Sequence, residues 1–378
     1  MINRKGFSLV EALISTVIVG MILAAGAWLF FANQKTTTLE ITASLVRANL
    51  RQALNVIGKD IVQAGMLSRA TKINLGNALI RPIEGGNRSY KKYNSNLNLG
   101  KCIGYNSNNI DKIQIISPDP VNSAYATQDL SSGNTTLHNI KIDANNSPIN
   151  NNYRPSTGDY YIITNANYLK NPFDPANNPI TNIFKLRGAT FVSGYADHGL
   201  YNFSITPRLK NNFSSNAGLC KVNIHYYYVK YYNSQKPPKL PELRCYIRNL
   251  RRTYVVAEGI EDMQFSYGVD INGNNKIDSN EWIQNPLTIS DNDYYKLRAI
   301  KVTICAISRP LPKSYLGKKK DENDIYYVRP QIEDRPKNAN PKPFPSDYMD
   351  YPVYRLIASE TYYLRNFMPD SFYGNTNN

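Results

Sequence analysis

The chain has 378 residues, a formal net charge of +15 and 29 tyrosines. The roughly 310 residues beyond the N-terminal region suffice for one large core or two modules, and the lack of an internal repeat excludes a repeat array. A basic, tyrosine-rich composition is compatible with binding to nucleic acid or anionic surfaces, but charge alone does not identify a partner.

An apolar segment runs from Phe7 to Ala32 and contains a single charge, Glu11. It is longer than the roughly 20 helical residues that cross a hydrocarbon core. Arg4 and Lys5 precede it, which places the N-terminus on the cytoplasmic side. We therefore expect a helix that crosses the membrane once and leaves the rest of the chain outside the cytoplasm.

Glu11 needs an explanation, because a lone carboxylate at a bilayer centre costs roughly 2.5–3.5 kcal/mol. A secretory signal does not supply one, since its apolar core is shorter and is followed by a small-residue cleavage site. Here the polar junction, Lys5-Gly6-Phe7, comes before the apolar core. The simplest alternative is a plain single-pass anchor with an incidental glutamate.

Residues 5–14, with the sequence KGFSLVEALI, resemble the leader and N-terminal helix of type IV pilins. In that family a prepilin peptidase cuts after the glycine, and the new N-terminal phenylalanine is N-methylated. The resemblance implies a leader of residues 1–6, cleavage between Gly6 and Phe7, and an assembly role for Glu11. In a filament, Glu11 would meet the freed amino group of Phe7 on an adjacent subunit. Such a buried pair sets register, because breaking it costs about 3–5 kcal/mol.

The helix is expected to continue beyond the membrane half, residues 7–32, through an amphipathic half, residues 33–66. Apolar residues recur there at the spacing of one helical face: Leu50, Ala53, Ile57, Ile61 and Ala64. Charged residues fall elsewhere on the helix: Arg47, Arg51, Lys59 and Asp60. One helix from Phe7 to about Ala64 is therefore predicted, with its second half lying against a folded domain.

Residues 67–378 are rich in Asn, Tyr, Pro and Ser and predict a β-rich head domain, giving an α+β, pilin-like fold. Short β-type runs alternate with turn-forming clusters. The predicted strands are Lys112–Ile116, Tyr160–Ile163, Val222–Val229, Cys245–Leu250, Met263–Val269, Leu297–Ile307 and Thr361–Leu364.

Four cysteines lie in this head: Cys102, Cys220, Cys245 and Cys305. Outside the cytoplasm they are candidates for disulfides, and four cysteines allow three pairings that sequence does not distinguish. Two bridges, or one bridge with buried thiols, are expected rather than a redox role. The Pro-rich loop between Cys220 and Cys245 argues against a direct cross-strand pair.

Residues 270–281, with the sequence DINGNNKIDSNE, match a twelve-residue calcium loop. The predicted Ca²⁺ ligands are Asp270, Asn272, Asn274, Asp278 and Glu281, with Lys276 contributing its backbone carbonyl. Ile277 would anchor the loop to the core. Asn275 replaces the usual glycine, but asparagine also tolerates the left-handed conformation. The alternative is a metal-free Asn/Gly turn.

Further segments resemble PilW-type minor pilins, namely residues 59–66, 255–270, 297–308 and 359–366. This implies a low-abundance subunit that helps to start pilus assembly, supports twitching motility and sits at or near the filament tip. Its implied partners are minor and major pilins through the N-terminal helix, prepilin peptidase, and the inner membrane before export to the cell surface. The J-type pseudopilins of type II secretion are an alternative, although they are usually much smaller.

A pilus-tip adhesin or DNA-binding module is the remaining alternative. Its candidate residues are Lys318–Lys320, Arg251, Arg252 and the tyrosine-rich run Tyr226–Tyr231. Lysine runs are more often solvated loops, and the tyrosine run has the pattern of a strand. No catalytic arrangement of Ser, His, Asp or Cys is evident around His138, His198 or His225, so no enzyme is predicted.

Overall fold

The computed structural model describes residues 9–64, 73–75, 78–80, 83–86, 111–142, 155–164, 181–193, 199–209, 211–232, 239–274, 276–284, 289, 293, 296–316 and 351–364. The helices are α1 (Leu9–Gln63), α2 (Lys313–Leu316) and a 3-10 helix (Ser279–Glu281). The strands are β1 (Ile73–Leu75), β2 (Ala78–Ile80), β3 (Ile83–Gly86), β4 (Lys112–Ala126), β5 (Thr136–Ile142), β6 (Tyr160–Thr164), β7 (Thr181–Ser193), β8 (Leu200–Thr206), β9 (Gly218–Lys230), β10 (Glu242–Ile247), β11 (Arg252–Glu258), β12 (Ile260–Val269), β13 (Trp282–Ile283), β14 (Leu297–Ile307) and β15 (Arg355–Tyr363).

Helix α1 is one continuous rod of 55 residues, about 80 Å long at 1.5 Å per residue. Its apolar first half is exposed on every side, and it is the one helix of the described residues that is long and apolar enough to cross a membrane. Its second half buries one face: Val46, Leu50, Ala53, Leu54, Ile57 and Ile61. The second half of α1 thus packs on the head, while the membrane-spanning role of the first half stays a prediction.

The described strands form two sheets in which most neighbouring strands are antiparallel. The larger has eleven strands in the order β11-β10-β9-β4-β5-β8-β7-β1-β2, with β3 pairing with β4 and β6 pairing with β7 and β9. The smaller has four strands in the order β13-β12-β14-β15. This is an α+β architecture, as predicted.

Two main cores hold the described head together. The first lies between α1 and the two sheets and contains Leu54, Ile57, Tyr227, Phe265 and Ile304. The second, between Ala124 and Leu219 in the chain, is formed by β4 to β9 and does not include α1. The first core thus positions the helix, while the second extends the head away from it.

Five of the seven predicted strands lie within observed strands, and Leu297–Ile307 coincides with β14. Thr361–Leu364 extends one residue beyond the end of β15. Cys245–Leu250 is wrong at its C-terminal end, because the chain leaves β10 at Ile247 and turns through residues 248–251 into β11. Arg251 has a positive φ of 51° in this turn, a conformation incompatible with a continuing strand.

Candidate functional site

The membrane half of α1 presents its apolar side chains and Glu11 on an exposed surface. Gly6 and Phe7, the predicted cleavage and methylation sites, lie outside the described residues. The helix that would carry Glu11 into a filament is joined without interruption to the segment buried in the head.

Asp60 connects the end of α1 to the large sheet. Tyr227 donates a 2.5 Å hydrogen bond to Asp60 Oδ2, and Nδ1 of His225 contacts the same oxygen. The expectation that Asp60 would lie off the buried face is wrong, because the carboxylate turns under the helix toward β9. Burial, followed by the charges of Cys245 and Asp60, raises the pKa of Tyr227 above its usual range, so its hydroxyl remains a donor.

Asp60 lies at one end of a groove of about 680 Å³ between α1 and the sheet. The groove is also lined by Val56, His225, Cys245 and Val255. Burial raises the pKa of the Cys245 thiol to about 12, so the thiol is protonated at neutral pH. A protonated thiol is a poor nucleophile. The groove therefore brings a cysteine and a histidine together without activating the cysteine.

The start of β12 carries a buried ion pair. Arg355 Nε on β15 lies 2.9 Å from Glu261 Oε2, and Cys305 Sγ lies 3.6 Å from the same oxygen. Both charged side chains are nearly inaccessible to solvent. Beside them, Gly259 has a φ of 70°, and a Cβ there would approach the Ile307 carbonyl oxygen to 2.4 Å. Residue 259, just before β12, therefore has to be glycine. The adjoining contacts of Glu261 with Arg355 and Cys305 link β12, β15 and β14.

Residues 270–274 and 276–281 belong to a loop between β12 and β13, and Asn275 lies outside the described residues. Glu281 accepts hydrogen bonds from the backbone N–H groups of Ile271, Asn272 and Asp278 at 2.9–3.1 Å. Asp278 Oδ2 accepts the side-chain amides of Asn272 and Asn274 at 3.0 and 3.1 Å. The carboxylates of Asp278 and Glu281 are thus held in place by hydrogen bonds from other residues of the same loop.

Two further contacts fix the loop to the head. Ile277 lies against Gly268 of β12, as predicted for a side chain that anchors the loop. Asp270 is buried, and its Oδ2 lies 3.8 Å from Arg298 Nε. Among the described residues, no three His, Cys, Asp or Glu side chains are arranged to hold a metal ion. Calcium binding therefore stays a prediction.

Cys220, Cys245 and Cys305 are buried and are not bridged to one another, and Cys102 lies outside the described residues. Two disulfides among the four would need a bridge between two of these three, which the described residues do not form, so a disulfide would have to involve Cys102 and stays a prediction. The physical reason that these three do not pair is placement, since the three sulfurs belong to different hydrophobic clusters. Cys245 faces Tyr227 across the β9–β10 ladder rather than Cys220.

The tyrosine-rich run of β9 is unsuited to stacking on nucleic-acid bases. Tyr226 and Tyr227 are almost fully buried on opposite faces of the sheet. Arg251, in the turn before β11, and Arg252, the first residue of β11, are exposed. Lys318–Lys320 and His198 lie outside the described residues. The aromatic half of the predicted nucleic-acid surface is therefore part of the core.

Comparison with known families gives two matches. Residues 226–366 match the model of type IV pilus-assembly protein W, and residues 1–27 match the prokaryotic N-terminal methylation motif. Searches among curated proteins and among solved structures give no match. The first match spans most of the core around α1, including Tyr227, one of Asp60's two partners on β9, while the second core lies outside both matches.

Proposed function

Because the chain belongs to the type IV pilin-like proteins of the PilW type, we propose that it helps to start filament assembly and stays at or near the tip. It is a type IV pilus-associated minor pilin, and interaction with other pilins follows from that membership. Both matched families are structural rather than enzymatic. The finer proposal is a prepilin that is cleaved after Gly6, methylated at Phe7, and held in the inner membrane with its head in the periplasm until assembly.

The observation that carries this proposal is the build of α1. Its first half is apolar and exposed all round, while its second half is held by β4, β11, β14 and β15. A chain built this way can leave the bilayer only if other apolar helices replace the lipid around its first half. A filament of parallel pilin helices provides such a surrounding.

Glu11 would determine how the helices of adjacent subunits align. A carboxylate within the apolar half is unfavourable in lipid but becomes favourable when a cation lies beside it. Cleavage before Phe7 creates a new amino group four residues from Glu11, and a neighbouring subunit can bring its own copy of that group to the carboxylate. Glu11 would thereby select the register in which adjacent helices associate.

The experiment is deletion of the gene, with complementation by the wild-type chain, by Glu11→Ala, or by the control Glu40→Ala. Glu40 is an exposed glutamate of the same helix but lies outside the apolar half. We expect deletion to reduce the number of pili and twitching, and we expect the wild type and Glu40→Ala, but not Glu11→Ala, to restore both. Mass spectrometry of the purified chain should show a methylated N-terminal Phe7.

Normal piliation with lost protein secretion in the deletion strain would instead support a type II secretion pseudopilin. An intact leader on the mature chain would contradict the proposal in either system.

A further inference from the structure

Strand β11 has an open edge. It pairs with β10 alone among the described strands and ends the order of the large sheet. Val256 and Ala257 are buried beneath α1, but residues 252–255 are exposed. An edge strand presents unpaired backbone N–H and C=O groups, and proteins usually protect such edges with charges, prolines or cover. Here Tyr254 and Val255 are 43% and 48% exposed, so the edge is apolar as well as open.

The groove beside α1 opens at this same stretch. Tyr254 and Val255 line it together with Val56 of the helix and Ile247 of β10, which form the apolar part of a mixed lining. Strand addition takes affinity from main-chain hydrogen bonds and specificity from pockets that receive alternate side chains. An extended segment paired with β11 would find such a pocket directly next to it.

The outer side of α1 leads toward the groove. Ile41 and Leu45 are 57% and 61% exposed and, at a spacing of four residues, are neighbours on the helix surface. Val56 lies three turns beyond Leu45 on the same side and forms part of the groove. Asn49 and Gln52 lie between Leu45 and Val56 on this side, so Ile41 and Leu45 form an exposed apolar patch that is separated from the groove by one polar stretch.

We propose that the edge of β11 and the adjoining groove bind an extended segment of a different pilin subunit by strand addition. The inference rests on the proposed function, because it is the neighbouring subunits in a filament that would lie along α1, against the exposed Ile41 and Leu45. The open edge requires an extended partner rather than a helix. The groove selects an apolar side chain on that partner.

Charge distinguishes another pilin from a second copy of this chain. Arg251 and Arg252 lie at the start of the edge, and Lys59 lines the groove. This chain carries a net charge of +15, so two copies would repel one another on approach. A segment with carboxylates beside its apolar residues is complementary to this rim.

Photo-cross-linking in piliated cells tests the inference. Benzoylphenylalanine replaces Tyr254 in the full chain, and replaces Phe191 as a matched control, since Phe191 is an aromatic side chain 48% exposed on β7 of the same sheet. We expect position 254 to cross-link to another pilin, with the adduct mapped by mass spectrometry to an extended segment of it, and position 191 to give no such product. If the replacement at position 254 prevents folding, the same probe at Thr253 provides a second test of this edge.

A charge substitution provides the second arm. Val255→Asp should lower the cross-link yield from position 254 by about tenfold, the loss of one well-packed interface contact. Val192→Asp is the control, because Val192 is 45% exposed on β7 and far along the sheet order from β11.

Cross-links only between copies of this chain, or none from positions 253 and 254 in cells whose pili depend on Glu11, would overturn this inference and leave the minor-pilin function standing. Unchanged piliation in the deletion strain would overturn the proposed function itself.

Discussion

The ring of Tyr362 rests on Gly58 of α1, where a Cβ would lie 2.1 Å from Tyr362 Cε1. The Tyr362 hydroxyl lies 2.8 Å from the Leu54 carbonyl oxygen and 2.7 Å from Glu360 Oε2. The last strand of the small sheet therefore holds the helix through a contact that exists only because residue 58 has no side chain.

Gly58→Ala is expected to destabilise the head, although glycine to alanine within an exposed helix normally stabilises by about 1 kcal/mol. Overpacking against the Tyr362 ring should lower the free energy of unfolding by roughly 1–3 kcal/mol. Urea unfolding of the full chain in detergent measures the change. Tyr362→Leu in the same chain should relieve the clash and recover part of the loss. Equal stability of Gly58→Ala and wild type would contradict the contact.

Asp60→Ala should loosen the end of α1. It leaves the buried Tyr227 hydroxyl without its acceptor, a loss of roughly 1–3 kcal/mol. Hydrogen exchange at residues 50–63 should accelerate, while Asp60→Asn, which keeps an acceptor oxygen, should change it less. Lys59→Ala, on the exposed side, is the control. Equal exchange rates in Asp60→Ala and Lys59→Ala would refute this role.

Arg355→Met should be the most damaging of these changes, because it leaves Glu261 as an uncompensated buried charge. Breaking a buried pair from one side costs about 3–5 kcal/mol, whereas replacing both partners is often close to neutral. We therefore expect Glu261→Gln combined with Arg355→Met to be more stable than Arg355→Met alone in urea unfolding. Arg309→Met, at an exposed arginine, should have little effect. Additive losses in the double variant would contradict the pairing.

Lys112 gives the head a pH dependence. Burial lowers the pKa of Lys112 from 10.5 to about 8 in the folded chain. The buried ammonium group costs stability at low pH. Between these two pKa values the unfolded chain binds more protons than the folded chain, so the free energy of unfolding rises with pH, and the rise is complete above about pH 10.5. Lys112→Met should remove this rise, which thermal melts of both chains from pH 7 to 10 would detect. Lys276→Met, at an exposed lysine, should retain it.

Calcium binding by residues 270–281 is tested by calorimetry on the full chain. We expect affinity in the weak class of extracellular modules, about 10⁻⁴–10⁻³ M. Asp270→Ala and Asp278→Ala should abolish the heat, whereas Lys276→Ala should preserve it because position seven ligates through its backbone carbonyl. A chelator should lower the melting temperature of the wild type alone. No calcium-dependent heat in the wild type would assign the loop to its internal hydrogen bonds.

The sequence predicted those parts of the fold in which a local pattern decides the outcome. The spacing of Leu50, Ala53, Ile57 and Ile61 identified the buried face of α1, and the apolar run of β14 was unambiguous. Asp60 was predicted to lie on the exposed side of α1, because a carboxylate within an apolar periodic pattern is normally assigned to the surface. Its partners lie about 165 residues further along the chain, so no local pattern indicates its burial.

Two other features were missed for related reasons. β7 mixes Asn, Lys, Arg and Thr with its apolar residues, and only Ile183, Phe184 and Leu186 are buried among its described side chains. β12 begins at Ile260 with every residue buried, yet Glu261 and Asp262 made its start resemble a loop. Glu261 is buried because Arg355, 94 residues later, neutralises it, and no local signal reveals such a partner.

The continuity of α1 has a mechanical consequence. Because Tyr362 and Asp60 attach the same stretch of about two helical turns to different sheets, a pull along the filament axis reaches both sheets at once. Many side chains then resist the load in shear at the same time. The helix does not peel from the head one turn at a time.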